Sequence, residues 1–136
     1  MRAILDSNIA IAAMNQVPAV VERLATMRGG DVGIPIVAIA ELTYGARRSR
    51  RVEENLKRLA ALRQTFATIP VSDALVERYG AVRAELQTRG RAKSDFDLLI
   101  ACSALEANAV LVTADRSLLD GAIPGLRSEN WLAVQP

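Results

Sequence analysis

The stretch from Ser94 to Asp115 reads SDFDLLIACSALEANAVLVTAD. From Asp97 to Ala107 it is apolar on nearly every side, which is typical of a helix buried in a protein core. Asn108 is suited to end that helix in the left-handed conformation, and residues 109–112 then read as a short buried strand. The stretch therefore predicts a core helix that begins at the carboxylate of Asp97, followed by a core strand that ends shortly before the carboxylate of Asp115.

Short apolar segments alternate with helical patterns along the rest of the chain. Strands are predicted at residues 3–5, 33–36 and 68–71, and the tail 126–134 could add a last strand containing Trp131. Helices are predicted after Asp6, capped by Ser7 or Asn8, and at residues 18–27, 35–49, 53–66 and 72–88, the last with Val76 on its apolar side. Strands alternating with helices indicate an α/β domain with a mainly parallel sheet, and we expect residues 1–136 to form one domain.

The composition narrows the possible chemistry. The chain has no histidine and one cysteine, Cys102, which falls in the predicted core helix. Histidine-based triads and histidine-ligated zinc are thereby excluded, so an enzyme would have to use carboxylates, hydroxyls, basic side chains or a hard metal ion. One free thiol fits a reducing cytoplasm, and neither a signal peptide nor a run of about 18 apolar residues is present, so we expect a cytoplasmic protein that does not enter a membrane.

Four acidic residues stand in apolar surroundings: Asp6, Glu41, Asp97 and Asp115. Asp6 and Asp115 follow predicted strand ends, where the ligand crevice of an open α/β sheet forms. If the four carboxylates converge, their mutual repulsion would raise some of their pKa values in an empty site, and a divalent cation would relieve it. Oxygen ligands without histidine or thiolate suit Mg²⁺ or Mn²⁺.

Each of these acids also has a simpler explanation. Asp97 could cap the core helix, Asp115 could cap the short helix after it, and Asp6 could be a turn residue. Glu41 could be the partly buried partner of an arginine. The spacing of the residues does not decide between these local roles and a shared metal site.

The chain resembles the PIN-domain nucleases and, within them, the VapC-type toxins of bacterial toxin–antitoxin pairs. The matching segments are LDSNI at 5–9, AIAELTYG at 38–45, DLLIACSAL at 97–105 and LVTAD at 111–115, with Gly125, Leu126 and Trp131 in the tail. The resemblance implies a PIN-like three-layer α/β/α domain. It also implies a catalytic quartet of Asp6, Glu41, Asp97 and Asp115, in which the three aspartates bind Mg²⁺ or Mn²⁺ and Ser7 and Thr113 support the site. Asp95 stands where the family often has another residue type, so it could share or contest metal binding.

The function implied by the resemblance is that of a Mg²⁺-dependent endoribonuclease toxin. Water oriented by a carboxylate would attack an RNA phosphodiester in line, and a cognate antitoxin would inhibit the enzyme. The apolar helices between Ile9 and Phe66 offer surface for the antitoxin and for a second copy in a homodimer. Two alternatives stay open: a PIN-type RNA-processing nuclease without antitoxin, and a non-catalytic acidic module that binds a basic partner. A phosphatase of the haloacid dehalogenase kind is disfavoured, because its first strand should end in Asp-x-Asp and this one ends in Asp6-Ser7-Asn8.

Two basic clusters flank the predicted acids. Arg47, Arg48 and Arg50 follow the Glu41 helix, and Arg91 and Lys93 precede Asp97. RNA binding depends largely on phosphate electrostatics, so both clusters are candidates for holding an RNA backbone. The alternative is that they form an ordinary solvated face.

Overall fold

The computed structural model describes residues 1–133 of the chain. The strands are β1 (Ala3–Leu5), β2 (Val32–Pro35), β3 (Ala67–Ile69), β4 (Val110–Val112) and β5 (Ser128–Glu129). The helices are α1 (Ser7–Met14), α2 (Pro18–Ala25), α3 (Ile36–Arg47), α4 (Val52–Thr65), α5 (Asp73–Thr88), α6 (Asp95–Ala107) and α7 (Arg116–Leu119), with a 3₁₀ turn at Gly29–Asp31. Within residues 1–133, no helix combines the length and apolarity needed to cross a bilayer.

The five strands form one sheet in the order β3-β2-β1-β4-β5, and every neighbouring pair is parallel. The predicted α/β architecture with a parallel sheet flanked by helices is confirmed. The chain builds outward from β1 to β3 on one side and then returns to β4 and β5 on the other. The junction between β1 and β4 is therefore the topological switch point, where ligands bind beyond the carboxyl ends of the strands.

Helix α6 follows the sequence prediction closely. Ser94 is its N-cap and accepts a hydrogen bond from the backbone N–H of Asp97 at 3.2 Å. The helix stops at Asn108, whose φ of 49° is left-handed. Ile100, Ala101 and Cys102 are completely buried between these ends. Because Ser94 caps the helix, the alternative in which Asp97 serves as the cap is wrong.

Three other local predictions need correction. Helix α1 is capped by Asp6, not by Ser7 or Asn8. Val76 is 51% exposed, because the buried side of α5 follows Leu75, Val82 and Leu86 and leaves Val76 one position off that stripe. The last strand comprises only Ser128–Glu129, so Trp131 lies beyond it although its side chain is buried; Val134 lies outside the described residues.

Candidate metal centre

Asp6 lies at the carboxyl end of the central strand β1 and is only 3% exposed. Three donors hold its carboxylate: the Ser7 N–H at 2.7 Å, the Thr113 hydroxyl at 2.7 Å and the Asn8 side-chain amide at 3.4 Å. A buried carboxylate is costly unless hydrogen bonds compensate its charge. Asp6 is thus fixed in orientation at the switch point, and its role as the cap of α1 is part of that fixation.

Thr113 joins the end of β4 to the end of β1. Its side chain is fully buried, its hydroxyl donates to Asp6, and the same oxygen accepts from the Asp115 N–H at 3.0 Å. Asn8 makes a second tie, because its side-chain oxygen accepts from the Ala114 N–H at 3.0 Å. The sequence predicts no structural role for Asn8 beyond a helix cap, although its position two residues after a strand-ending acid is a signal that it lies beside the site.

Asp115 follows β4 and caps helix α7 through Oδ1, which accepts from the Ser117 N–H at 2.9 Å. The capping role considered for this residue is therefore present in the structure. Capping occupies one carboxylate oxygen, so Oδ2 is not used by it. The capping role would therefore not prevent Asp115 from binding a metal ion through Oδ2.

Glu41 on α3 and Asp97 in the first turn of α6 are both half-buried. Burial is the main cause that raises the pKa of Glu41, and the charges of Asp6, Asp97 and Asp115 raise it further while the Ser7 hydroxyl opposes them. Burial also raises the pKa of Asp97, with Asp115 and Asp6 adding to it and Ser94 and Lys93 acting against it. The fold therefore brings the four acids within electrostatic range of one another, although they come from four separate elements.

The four carboxylates are neighbours without being a preformed coordination shell. Among the acidic and thiol side chains of residues 1–133, no three lie close enough together to hold a metal ion as they are placed. The donor set nonetheless fits a hard divalent cation, because it consists of carboxylate and hydroxyl oxygens and because neighbouring acids raise the pKa values of Glu41 and Asp97. Ion binding thus requires side-chain movement, for which the half-buried Glu41 and Asp97 have more room than Asp6.

Asp95 is not among the charges that raise the pKa values of Glu41 and Asp97. Its carboxylate accepts a hydrogen bond from the Tyr79 hydroxyl at 2.7 Å and pairs with Arg83 at 3.0 Å, and both partners belong to α5. Asp95 therefore links α6 to α5.

The two basic clusters differ in accessibility. Arg47, Arg48 and Arg50 are exposed at the end of α3 and just beyond it, with Arg48 donating to the Tyr44 hydroxyl at 3.0 Å. Arg91 is also exposed and pairs with Asp120 at 3.3 Å.

Lys93 is enclosed, with a side chain only 5% exposed that binds Asp120 at 2.8 Å and the backbone carbonyl of Ser117. The prediction that Lys93 holds RNA conflicts with this burial, because its ammonium group is already occupied inside the protein.

The comparisons with known proteins agree with this architecture. The PIN domain family model matches residues 3–123. The tRNA(fMet)-specific endonuclease VapC of Shigella flexneri is 30% identical over 131 residues, which cover 96% of this chain and 98% of that protein. Ribonuclease VapC2 of Rickettsia felis is 34% identical over 131 residues, covering 93% of this chain and 96% of that protein.

Solved structures of VapBC complexes have the same fold. VapBC2 from Rickettsia felis, bound to a DNA fragment from its promoter, contains a chain with a TM-score of 0.85 at 32% identity, covering 96% of this chain and 99% of that chain. DNA-bound VapBC from Salmonella typhimurium gives a TM-score of 0.88 at 28% identity, covering 96% of this chain and 98% of that chain. The matches run nearly end to end in both directions, so the protein is a nuclease of the PIN-domain family and belongs, within it, to the VapC ribonucleases.

Proposed function

We propose that this chain is an endoribonuclease toxin that depends on Mg²⁺ or Mn²⁺ and uses Asp6, Glu41, Asp97 and Asp115 as its acidic site. The observation that supports this assignment most is the electrostatic coupling of Glu41 and Asp97 to the other two acids at the switch point of the sheet. Four acids with separate local roles would not need to lie within electrostatic range of one another. PIN-domain ribonucleases generally depend on a divalent metal ion, which agrees with an oxygen-only donor set.

We assign a separate task to each side chain from its surroundings. Asp6, Asp97 and Asp115 would hold the cation, with Thr113 and Ser7 fixing the orientation of Asp6. When bound, the cation supplies Lewis-acid activation of water and neutralises charge on the scissile phosphate. Burial and the neighbouring acids raise the pKa of Glu41, and Glu41 is not assigned to the cation, so its carboxylate is suited to accept a proton from the attacking water.

The direct test is RNA cleavage by neutral variants of the acids. D6N and D97N should keep the fold, shown by circular dichroism, and lose cleavage in the presence of Mg²⁺. D73N is the matched control, because Asp73 is an exposed aspartate in the first turn of α5. Full activity in a folded D97N protein would remove Asp97 from the site. Wild-type protein that binds Mn²⁺ and never cuts RNA would favour the non-catalytic acidic module.

We also propose that Arg47, Arg48 and Arg50 hold the RNA backbone, supported by their exposure beyond the helix that carries Glu41. Each phosphate contact to a single strand contributes about 0.7 to the slope of log affinity against log salt concentration. R47E should therefore weaken RNA binding and reduce that slope by about one contact. The matched control is R28E, which reverses an exposed arginine outside this cluster. Equal slopes for R47E and wild type would contradict the assignment.

The proposed antitoxin would occupy an apolar groove of about 550 Å³ between α1, α2 and α4. Met14, Leu24 and Phe66 line it, each only partly buried against the core. A second hollow of about 290 Å³ shares Met14 and Arg58 with the groove and is bordered by Glu41, so a segment lying in the groove could reach the acidic site. An apolar groove between helices suits an amphipathic helix.

Two neighbouring alanines on α4 test the groove. Both are exposed, but Ala61 lines the groove and Ala60 lines neither hollow. A61R should reduce co-purification with the product of a neighbouring antitoxin gene while leaving RNA cleavage intact, and A60R should behave like wild type. Equal capture by both variants would place the antitoxin elsewhere. The homodimer stays a prediction, for which sedimentation equilibrium is the measurement.

A further inference from the structure

Lys93 is a buried cation in the loop that leads into α6. Its side chain is 5% exposed, and its Nζ donates to Asp120 Oδ2 at 2.8 Å and to the backbone carbonyl oxygen of Ser117. Burying an ammonium group is costly unless charge and hydrogen bonds compensate it. The contacts therefore fix the loop before α6 against the segment that contains α7.

Lys93 and its neighbour Ser94 contact both segments that carry a site acid. Ser94 Oγ accepts from the backbone N–H of Asp97 at 3.2 Å. Ser117, whose carbonyl oxygen binds Lys93, donates its own N–H to Asp115 Oδ1 at 2.9 Å. One dipeptide thus holds the backbone of Asp97 directly and holds the carboxylate of Asp115 through one intervening residue.

We propose that Lys93 is a positioning residue that sets the separation of Asp97 and Asp115 across the metal site. This inference rests on the proposed function, since it assumes that both aspartates are metal ligands. Asp97 and Asp115 lie on different elements, and no hydrogen bond among residues 1–133 joins their side chains directly. Lys93 supplies the link through Ser117, so its loss would let α7 shift relative to α6 and loosen the orientation of Asp115.

The charge of Lys93 predicts the opposite result from its positioning role. The ammonium group acts on Asp97 by lowering its pKa, so it lies within electrostatic range of the site. If charge alone mattered, removing this cation would make the site more negative and tighten metal binding. If positioning dominates, removing it weakens metal binding. The sign of the change in metal affinity therefore separates the two effects.

The experiment is calorimetric titration of the full chain with Mn²⁺ in the absence of RNA. Outer partners that orient metal ligands typically contribute about 10-fold or more to metal affinity, so K93M should weaken Mn²⁺ binding by about 10-fold. K93R, which keeps a charged donor, should recover part of that loss. R91M is the matched control, because Arg91 also pairs with Asp120 but is exposed and has no bond to Ser117, so it should bind Mn²⁺ like wild type. If K93M fails to fold, K93Q replaces it: its shorter, neutral side chain cannot keep both bonds of the ammonium group, so it should also weaken Mn²⁺ binding, and wild-type affinity in folded K93Q overturns the positioning role.

The titrations distinguish a failure of the positioning role of Lys93 from a failure of the proposed metal site. Wild-type affinity or tighter binding in folded K93M, alongside a clear loss in D97N, overturns the positioning role and leaves the acidic site standing. A lower melting temperature without a change in Mn²⁺ affinity also overturns it, because that pattern is purely structural. Absence of Mn²⁺ binding in wild type, or unchanged binding in D97N, overturns the proposed metal site and the role of Lys93 with it.

Discussion

Replacing Thr113 with valine removes one hydroxyl from the centre of the site without changing the shape of the side chain. That hydroxyl donates to the buried carboxylate of Asp6 at 2.7 Å and accepts from the Asp115 N–H at 3.0 Å. In T113V, Asp6 keeps the donors of Ser7 and Asn8, but the Asp115 N–H loses this partner. The substitution therefore loosens the junction of β1 and β4 where two proposed ligands meet.

The expected cost follows from the two hydrogen bonds. A hydrogen bond to a charged group contributes about 1.5–3 kcal/mol and a neutral one about 1 kcal/mol, so T113V should destabilise the protein by about 3 kcal/mol. T113S keeps the hydroxyl and removes one methyl group, which costs about 1 kcal/mol including the small cavity it leaves. T113S therefore measures the packing contribution of the methyl group by itself, and T113V should be about 2 kcal/mol less stable than T113S.

The measurement is urea unfolding at pH 7 in the presence of EDTA, followed by circular dichroism. Equal slopes of free energy against urea for the three proteins would show that the variants unfold from comparable states. T113V should unfold at a clearly lower urea concentration than T113S. If the two variants unfold at the same urea midpoint, the Thr113 hydroxyl does not stabilise the buried carboxylate of Asp6.

Three further outcomes are expected. In metal-free protein E41Q should raise the free energy of unfolding at pH 7 by less than about 1 kcal/mol, because the amide removes a half-exposed carboxylate that burial and Asp6 disfavour. A raised pKa makes the native carboxyl bind protons more tightly, so this gain should vanish as the pH falls below the ordinary value of 4.5, and urea unfolding at several pH values checks it. Hydrogen bonds from Lys93 and from the Ala122 N–H lower the pKa of Asp120 to about 2. The ionised carboxylate therefore stabilises the fold above pH 3.8, and this stabilisation is lost as the pH falls toward 2. Acid unfolding of D120N should lack that part of the pH dependence. Arg58 donates to the Met14 carbonyl at 2.6 Å and to Asn15 at 2.7 Å, so R58A should lower the free energy of unfolding by about 1–2 kcal/mol and R58K should restore only part, since lysine lacks the guanidinium fork.

Features of the fold that depend on local chemistry could be predicted from the sequence. Ser94 and Asn108 mark the two ends of α6 because capping and left-handed φ are properties of single residues and their neighbours. The alternation of short strands and helices likewise predicted a parallel sheet. Val76 was assigned to the wrong face because an apolar residue beside a buried stripe looks the same in sequence as one within it.

Contacts between distant segments could not be predicted in this way. Thr113 and Asp6 are 107 residues apart, and their hydrogen bond depends on β4 lying beside β1. By charge and position in the sequence, Asp95 and Lys93 are an acidic and a basic candidate for the site. In the structure Asp95 contacts Tyr79 and Arg83 of α5, and Lys93 contacts Asp120 at the end of α7. Strand order and helix packing decide such pairs, and neither is encoded in the spacing of the residues involved.

The most direct test of the shared acidic site is a crystal structure of the protein grown with Mn²⁺, with anomalous difference density measured near the manganese absorption edge. We expect a peak bounded by the carboxylates of Asp6, Asp97 and Asp115, with Glu41 beside it and with the half-buried side chains moved toward the ion. Saturating Mn²⁺ that leaves this crevice without a peak, or a peak bound elsewhere on the chain, would contradict the claim that the four acids serve one metal centre.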